Sequence, residues 1–289
     1  MKIIDPHIHL FNLEQGDYHW LKSENPPFWP DKSTIKKTFT EQDLALEDDF
    51  QLSGFIHIEA GFDNVEPWRE IAYLEKNCKL PFRSIAFIDF FLPADQFNKQ
   101  LTKLLQFKSV VGCRYILDEH ATNILTNSTV QKNLTTLAKH QLIFEVQMPL
   151  QDKLAIEALI NISVTNPSLK LIINHAGLPA LTTKIDNLWL SGLQRLSLLN
   201  NCAIKCSGWE MTDRYYSNVA VESILKHCLN FFGEQRVLLA SNFPLCLLSK
   251  SYQAFWQSQQ TMMTKLALTT NQQHLLTHKN AETWYQLSC

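Results

Sequence analysis

What most constrains the fold of this chain is a recurrence from end to end: short apolar or β-branched runs of buried-strand length, each followed by a stretch that reads as something else. Eight runs are present, at 2–9, 54–60, 82–89, 110–116, 142–148, 169–175, 202–207 and 236–241. Most of the intervals read as helix, as at 67–77 with Trp68, Ile71, Ala72 and Glu75, or at 130–139 with Leu134, Leu137 and Ala138. Strand, helix, strand, repeated, means parallel βαβ units. Eight units with no Gly/Ser-rich linker or composition break predict an α/β fold of a single domain over 1–289. A closed (β/α)8 TIM-type barrel fits better than an open doubly wound sheet, which more often stops at five or six strands.

The segment 11–39 does not fit the repeat. It is rich in Asn, Pro and aromatics (Tyr18-His-Trp-Leu21, Pro26-Pro-Phe-Trp-Pro30) and too long for an ordinary connection, so it is expected as a long loop after strand 1, at the mouth of the barrel. The charge balance, 26 Lys+Arg against 28 Asp+Glu, offers no footprint for a polyanion and argues against nucleic acid as a partner. Seven cysteines without CxxC spacing read as reduced thiols of a cytoplasmic protein, Cys289 among them. Neither a signal-type apolar segment at the N-terminus nor a run long enough for a membrane span is visible. The expected partner is a small-molecule substrate.

The ends of the runs carry the chemistry. His7 and His9 alternate onto one face at the end of the first, and the sixth ends at His175 before Gly177. Three imidazoles at one rim suit either a single metal ion with an open position or donors aimed at a substrate oxygen. The eighth run ends Ser241-Asn242-Phe243-Pro244, placing Asn242 across the seam from the His pair. By the same alternation His57 and Glu59 face one way, and Glu145 and Gln147 share a face at strand 5. Arg114 offers a donor fork for a carboxylate or lactone carbonyl, or pairs with Glu59 or Glu145. Trp20, Trp29 and Trp209 are candidates for an apolar wall against a ring, and 205–216 for further substrate contacts.

Seven segments in order resemble the amidohydrolase-2 family: Asp5-Pro-His-Ile-His9, Tyr18-His-Trp-Leu21, His57-Ile-Glu-Ala60, Gly112-Cys-Arg-Tyr115, Ile173-Asn-His-Ala-Gly-Leu-Pro179, the stretch 202–208, and Ser241-Asn-Phe-Pro-Leu-Cys246. The segment 280–287 resembles the closing helix of those proteins, so the likeness runs through nearly the whole chain. The branch it is most similar to holds L-fuconolactonase, L-rhamnono-lactonase and pyrone-dicarboxylate lactonase. The resemblance implies a hydrolase acting on a small lactone of a sugar acid or related carboxylate by water attack on the ring carbonyl. It places His7, His9, His175 and residue 242 around that carbonyl as catalytic groups, with Glu59, Arg114, Gln147 and Trp20 contacting substrate.

Two departures from the pattern matter. The resemblance assigns the water's proton to an Asp on strand 8, and here position 242 is Asn, which has no basic form near neutrality. Asn242→Asp is therefore expected to raise turnover by about 10²-fold or more. The alternatives to the lactonase are a catalytically impaired barrel that binds a related ligand, Asn242 standing for the Asp, and a decarboxylase of the same family. Where binuclear relatives carry a Lys or Glu on strand 4 and a His on strand 5, this chain has Arg114 and Gln147. The expectation is at most one divalent cation, Zn2+ or another, on His7, His9 and His175, with a metal-free site the equal alternative.

Overall fold

The structure is a computed structural model that describes residues 1–289 except Asp48, Thr183 and Cys289. Eight parallel strands, β1 (Lys2–Ile8), β2 (Gln51–Ile58), β3 (Phe82–Phe87), β4 (Val110–Ile116), β5 (Ile143–Gln147), β6 (Lys170–Ile173), β7 (Cys202–Cys206) and β8 (Val237–Leu239), pair in chain order. The sheet curls into a nearly closed barrel whose seam is stitched rather than laddered. His9 N donates to Phe243 O at 2.7 Å, and Asp5 Oδ1 accepts from Ser241 N at 3.1 Å. All eight runs read from the sequence are strands, although the second begins earlier, at Gln51, and the sixth and eighth stop short of His175 and Ser241.

Around the strands lie α1 (Trp68–Asn77), α2 (Ala94–Leu104), α3 (Ala121–Leu125), α4 (Ser128–Lys139), α5 (Lys153–Thr165), α6 (Asn187–Ser197), α7 (Trp209–Thr212), α8 (Asn218–Phe232), α9 (Tyr252–Lys265), α10 (Thr270–His274) and α11 (Asn280–Tyr285). Helical spacing decides what they bury: α2 packs Phe97, Leu101 and Leu104 inward, and α4 packs Val130, Leu134, Leu137 and Ala138. Polar side chains close the first turns. Asn127 accepts from Thr129 N and Val130 N, Asp152 from Leu154 N and Ala155 N, and Ser217 from Val219 N and Ala220 N.

Inside the barrel, Ile4, Ile56, Ile58, Ile85, Ile143, Ile172, Ala203 and Leu238 form one buried cluster with Tyr285 of α11. Gly112 makes room for it, since a Cβ there would lie 2.5 Å from Ile143 O and 2.7 Å from Ile85 Cδ1. Segment 11–39 is a loop as expected, but an ordered one, with short 3₁₀ turns at His19–Leu21 and Lys32–Thr34 and a core of Phe11, Tyr18, Leu21, Ile35 and Phe39. The six described cysteines are free thiols, and Cys289 lies outside the described residues. Among the described residues no helix is long and apolar enough to cross a membrane.

Candidate active site

At the C-terminal ends of the strands opens a cavity of about 990 Å³. His9, His175, Asn242, Glu59, Arg114, Gln147 and Trp20 all line it, so that of the residues which the family resemblance implies for catalysis or substrate contact, His7 alone does not. His7 is wholly buried just beneath, its ring centroid 5.0 Å from that of His9 and 4.7 Å from that of His175. Trp29 lines the wall edge-on to Trp20, whereas Trp209 is buried behind the cavity and does not reach it.

Backbone geometry sets these positions. His175 stands not in β6 but in a left-handed turn after it (φ 52°), which Gly177 continues. Its Nδ1 lies 3.0 Å from Ser207 Oγ. Gly208 is required there: its φ is +73°, and a Cβ would lie 2.3 Å from His175 Nδ1. Asn242 also has positive φ, 61°, a conformation that Asn tolerates better than most side chains.

A buried hydrogen-bond chain assigns the imidazole protons. Lys205 Nζ touches both carboxylate oxygens of Glu145 at 2.7 Å and His7 Nδ1 at 3.3 Å. Burial pulls Lys205 down to about 8, against the pull of Glu145, so it is an ammonium at neutral pH. An ammonium only donates, so His7 Nδ1 accepts, and its Nε2–H points at His9 Nε2, 3.2 Å away. His9 Nδ1 in turn donates to Ile58 O at 2.8 Å. Burial holds all three imidazoles well below the usual histidine range, reinforced by Lys205 at His7 and by Arg114 at His9 and His175.

This donor set does not fit a divalent cation. The Lys205 side chain, paired with Glu145, stands 3.3 Å from His7 Nδ1, and residue 242 brings no negative charge to offset a dication. Among the described residues, no group of three His, Cys, Asp or Glu side chains is arranged to hold a metal ion.

Of the alternatives that the sequence left open for Arg114 and Glu59, the structure takes their pairing with each other. Arg114 Nε and Nη2 bond Glu59 Oε1 and O, both at 2.8 Å, and Nη1 bonds Gln147 Oε1 at 3.1 Å. The fork is thus largely occupied by the wall itself. Burial pushes the Glu59 carboxyl up, and Arg114 pulls it back. Glu59 lies past the end of β2 and leaves the face of His57, whose Nε2 bonds Glu70 of α1 at 3.0 Å. Glu145 pairs with Lys205 and not with Arg114. Lys205, named from the sequence as one of the possible substrate contacts of 205–216, instead lies behind the cavity on His7 and Glu145, a single charge inside the apolar Cys-Ala-Ile-Lys-Cys strand.

The Amidohydrolase family model matches residues 4–287. The chain is 26% identical over 299 residues to the uncharacterized protein y4mH of Sinorhizobium fredii, covering 99% of this chain and 98% of that one. It is 33% identical over 94 residues to L-fucono-1,5-lactonase of Burkholderia multivorans, 28% of this chain and 31% of that enzyme. Among solved structures it is similar to a zinc-bound amidohydrolase from Burkholderia multivorans (TM-score 0.81, 18% identity, all of both chains). A Pseudomonas putida protein named for 2-pyrone-4,6-dicarboxylic acid hydrolysis follows (0.73, 15%, 98% and 97%). The 5-carboxyvanillate decarboxylase of Sphingomonas paucimobilis is more distant (0.59, 13%, 99% of both). At these identities the structures show a shared fold.

Proposed function

The chain belongs to the amidohydrolase family, and on that premise we propose that it hydrolyses a small lactone by attack of water on the ring carbonyl. The observation that carries this reading is the meeting, on one cavity, of a neutral His175, the Asn242 amide and the Arg114 guanidinium. Asn242 Oδ1 accepts a hydrogen bond from one O–H of the attacking water, and His175 Nε2 takes the water's other proton, Nδ1–H being held by Ser207 Oγ. The water oxygen bonds to the carbonyl carbon, and the charge that gathers on the carbonyl oxygen meets the N–H groups of Arg114 not used by Glu59 and Gln147. The ring C–O bond then breaks, and His175 returns the proton to the leaving oxygen, yielding a hydroxy acid.

The wall favours an uncharged, polyhydroxylated lactone over a dicarboxylate. Asp17, Glu59, Asp63, Asp118 and Glu119 line it, and its one guanidinium is already paired with Glu59. Trp20 and Trp29 offer ring faces that suit a sugar. The donor set argues against the decarboxylase reading, which the family resemblance ties to a mononuclear metal. A pH-indicator screen of aldonolactones and 2-pyrone-4,6-dicarboxylate, with and without chelator, tests the proposal. Acid release from a neutral lactone, insensitive to chelator, is expected. Turnover that requires added zinc would overturn the metal-free reading. No turnover, with a sugar acid raising Tm, would favour a binding protein.

A further inference from the structure

Behind Asn242 lies a carboxyl group that the hydrolysis described above leaves unused. Glu210, on α7, is inaccessible to solvent, and its Oε1 accepts from Asn242 Nδ2 at 2.6 Å. Asn242 lines the cavity and Glu210 does not. Asn242 Oδ1 and Glu210 Oε2 have no partner among the described residues. A carboxylate can only accept, so an ionised Glu210 must face the amide nitrogen, which turns Oδ1 away from Glu210. No described cation bonds the carboxylate. Arg214 spends its guanidinium on Asp31 and on the backbone oxygen of Glu210. Lys250, Tyr216 and Cys246 are the other charged or titratable groups close enough to feel it.

We propose that the ionisable carboxyl of this site stands one residue back from the cavity, and that Glu210 is a positioning residue that decides, through Asn242, which end of the amide meets the substrate. The proposal rests on the lactonase reading for its consequence in catalysis. With Glu210 ionised, Oδ1 serves as the acceptor that aligns the attacking water. With Glu210 protonated, its O–H donates to Oδ1, the amide turns over, and the cavity meets Nδ2–H, which cannot accept from water. Burial pushes Glu210 up to about 7, outweighing the Asn242 bond and the Arg214 and Lys250 charges, so both states are populated near neutrality.

The pairing changes what Asn242→Asp should do. That substitution alone sets two carboxyl groups in contact, and one of them stays protonated. The simple gain expected from the sequence needs the exchange made at both positions, Glu210→Gln with Asn242→Asp, which returns the carboxylate to the cavity with an amide behind it.

Wild type, both single variants and the double variant, compared by Tm and by lactone turnover across pH, test this. Asn242→Asp should melt about 5 °C below wild type at about pH 8 and close to it at about pH 5, with the double variant recovering the loss. Wild-type kcat should rise through pH 7 with little change in KM, and Glu210→Gln, which keeps an acceptor but cannot ionise, should abolish that rise. The double variant should exceed Asn242→Asp by about 10²-fold in kcat. The proposal is overturned if Asn242→Asp melts like wild type at about pH 8, or if Glu210→Gln keeps the rise in kcat. The melting arm needs no substrate: a destabilised Asn242→Asp rescued by the double variant, with no lactone turned over by any protein, supports the pairing and sinks the lactonase reading.

Discussion

At the scale of single residues, the site depends on backbone positions that admit few side chains. Gly208 holds the space beside His175, so Gly208→Ala should displace the imidazole as well as strain a left-handed position. The expected outcome is a loss of about 10²-fold in kcat, the scale of a misplacement near 1 Å, with destabilisation of roughly 1 to 2 kcal/mol. Steady-state kinetics and denaturant unfolding separate the two effects. Glu210 makes a second residue-scale prediction. Its folded-state pKa, about 7, is raised above the ordinary 4.5. Its contribution to stability is therefore fully present below the ordinary value and is lost as pH rises through about 7. Relative to Glu210→Gln, wild type should lose stability over that window. A difference in unfolding free energy that stays flat from about pH 4 to 8 would contradict the burial argument.

At the scale of elements, the segment after β1 is ordered by a cation that the sequence pattern does not advertise. Lys32 is buried, and its Nζ donates to Trp20 O, Lys22 O and Asn25 O at 2.9, 3.1 and 2.7 Å. The same segment is tied to the chain after β7 by Arg214, which bonds Asp31 and lies 4.8 Å from the centre of the Trp29 ring. Lys32→Met leaves three carbonyls short of a donor within one loop while the barrel keeps its ladder. We expect proteolytic cleavage within the loop to quicken and KM to rise about tenfold as Trp20 and Trp29 loosen, with little change in global Tm. A large fall in Tm would mean that the loop and the barrel unfold as one unit.

At the scale of the whole molecule, the last helix and the strands meet around a charge. Tyr285 of α11 donates to Glu145, which pairs with Lys205, and Lys205 reaches His7. The chain thus runs from the barrel interior to the floor of the cavity, and both charged side chains are wholly buried. Glu145→Gln leaves the Lys205 charge uncompensated and should cost about 3 to 5 kcal/mol, seen as a fall in Tm of roughly 10 °C. Replacing the set with apolar groups, Glu145→Leu, Lys205→Met and Tyr285→Phe, should recover much of that loss. Activity should not return with it, because His7 Nδ1 then lacks the donor that directs its other nitrogen at His9. Recovery of both would show that the ammonium has no part in orienting the imidazoles.

The repeat of eight apolar runs determined the architecture, because a parallel strand covered on both faces must be apolar throughout, and that requirement is written locally in each run. Strand ends were legible for the same reason: polar residues that close such runs, His9 or Asn242, have the rim as their place. What the sequence could not show was partnership. Arg114 offered itself equally to Glu59, to Glu145 or to a ligand, and only the curled barrel, which lets Arg114 reach past β3 to the end of β2 and carries Lys205 past β6 to Glu145, decided among them. The bond between Glu210 and Asn242 was hidden for a stronger reason. It joins a four-residue helix after β7 to a loop after β8, 32 positions apart, and no periodicity within either segment records a distance that exists only once the strands have closed into a ring.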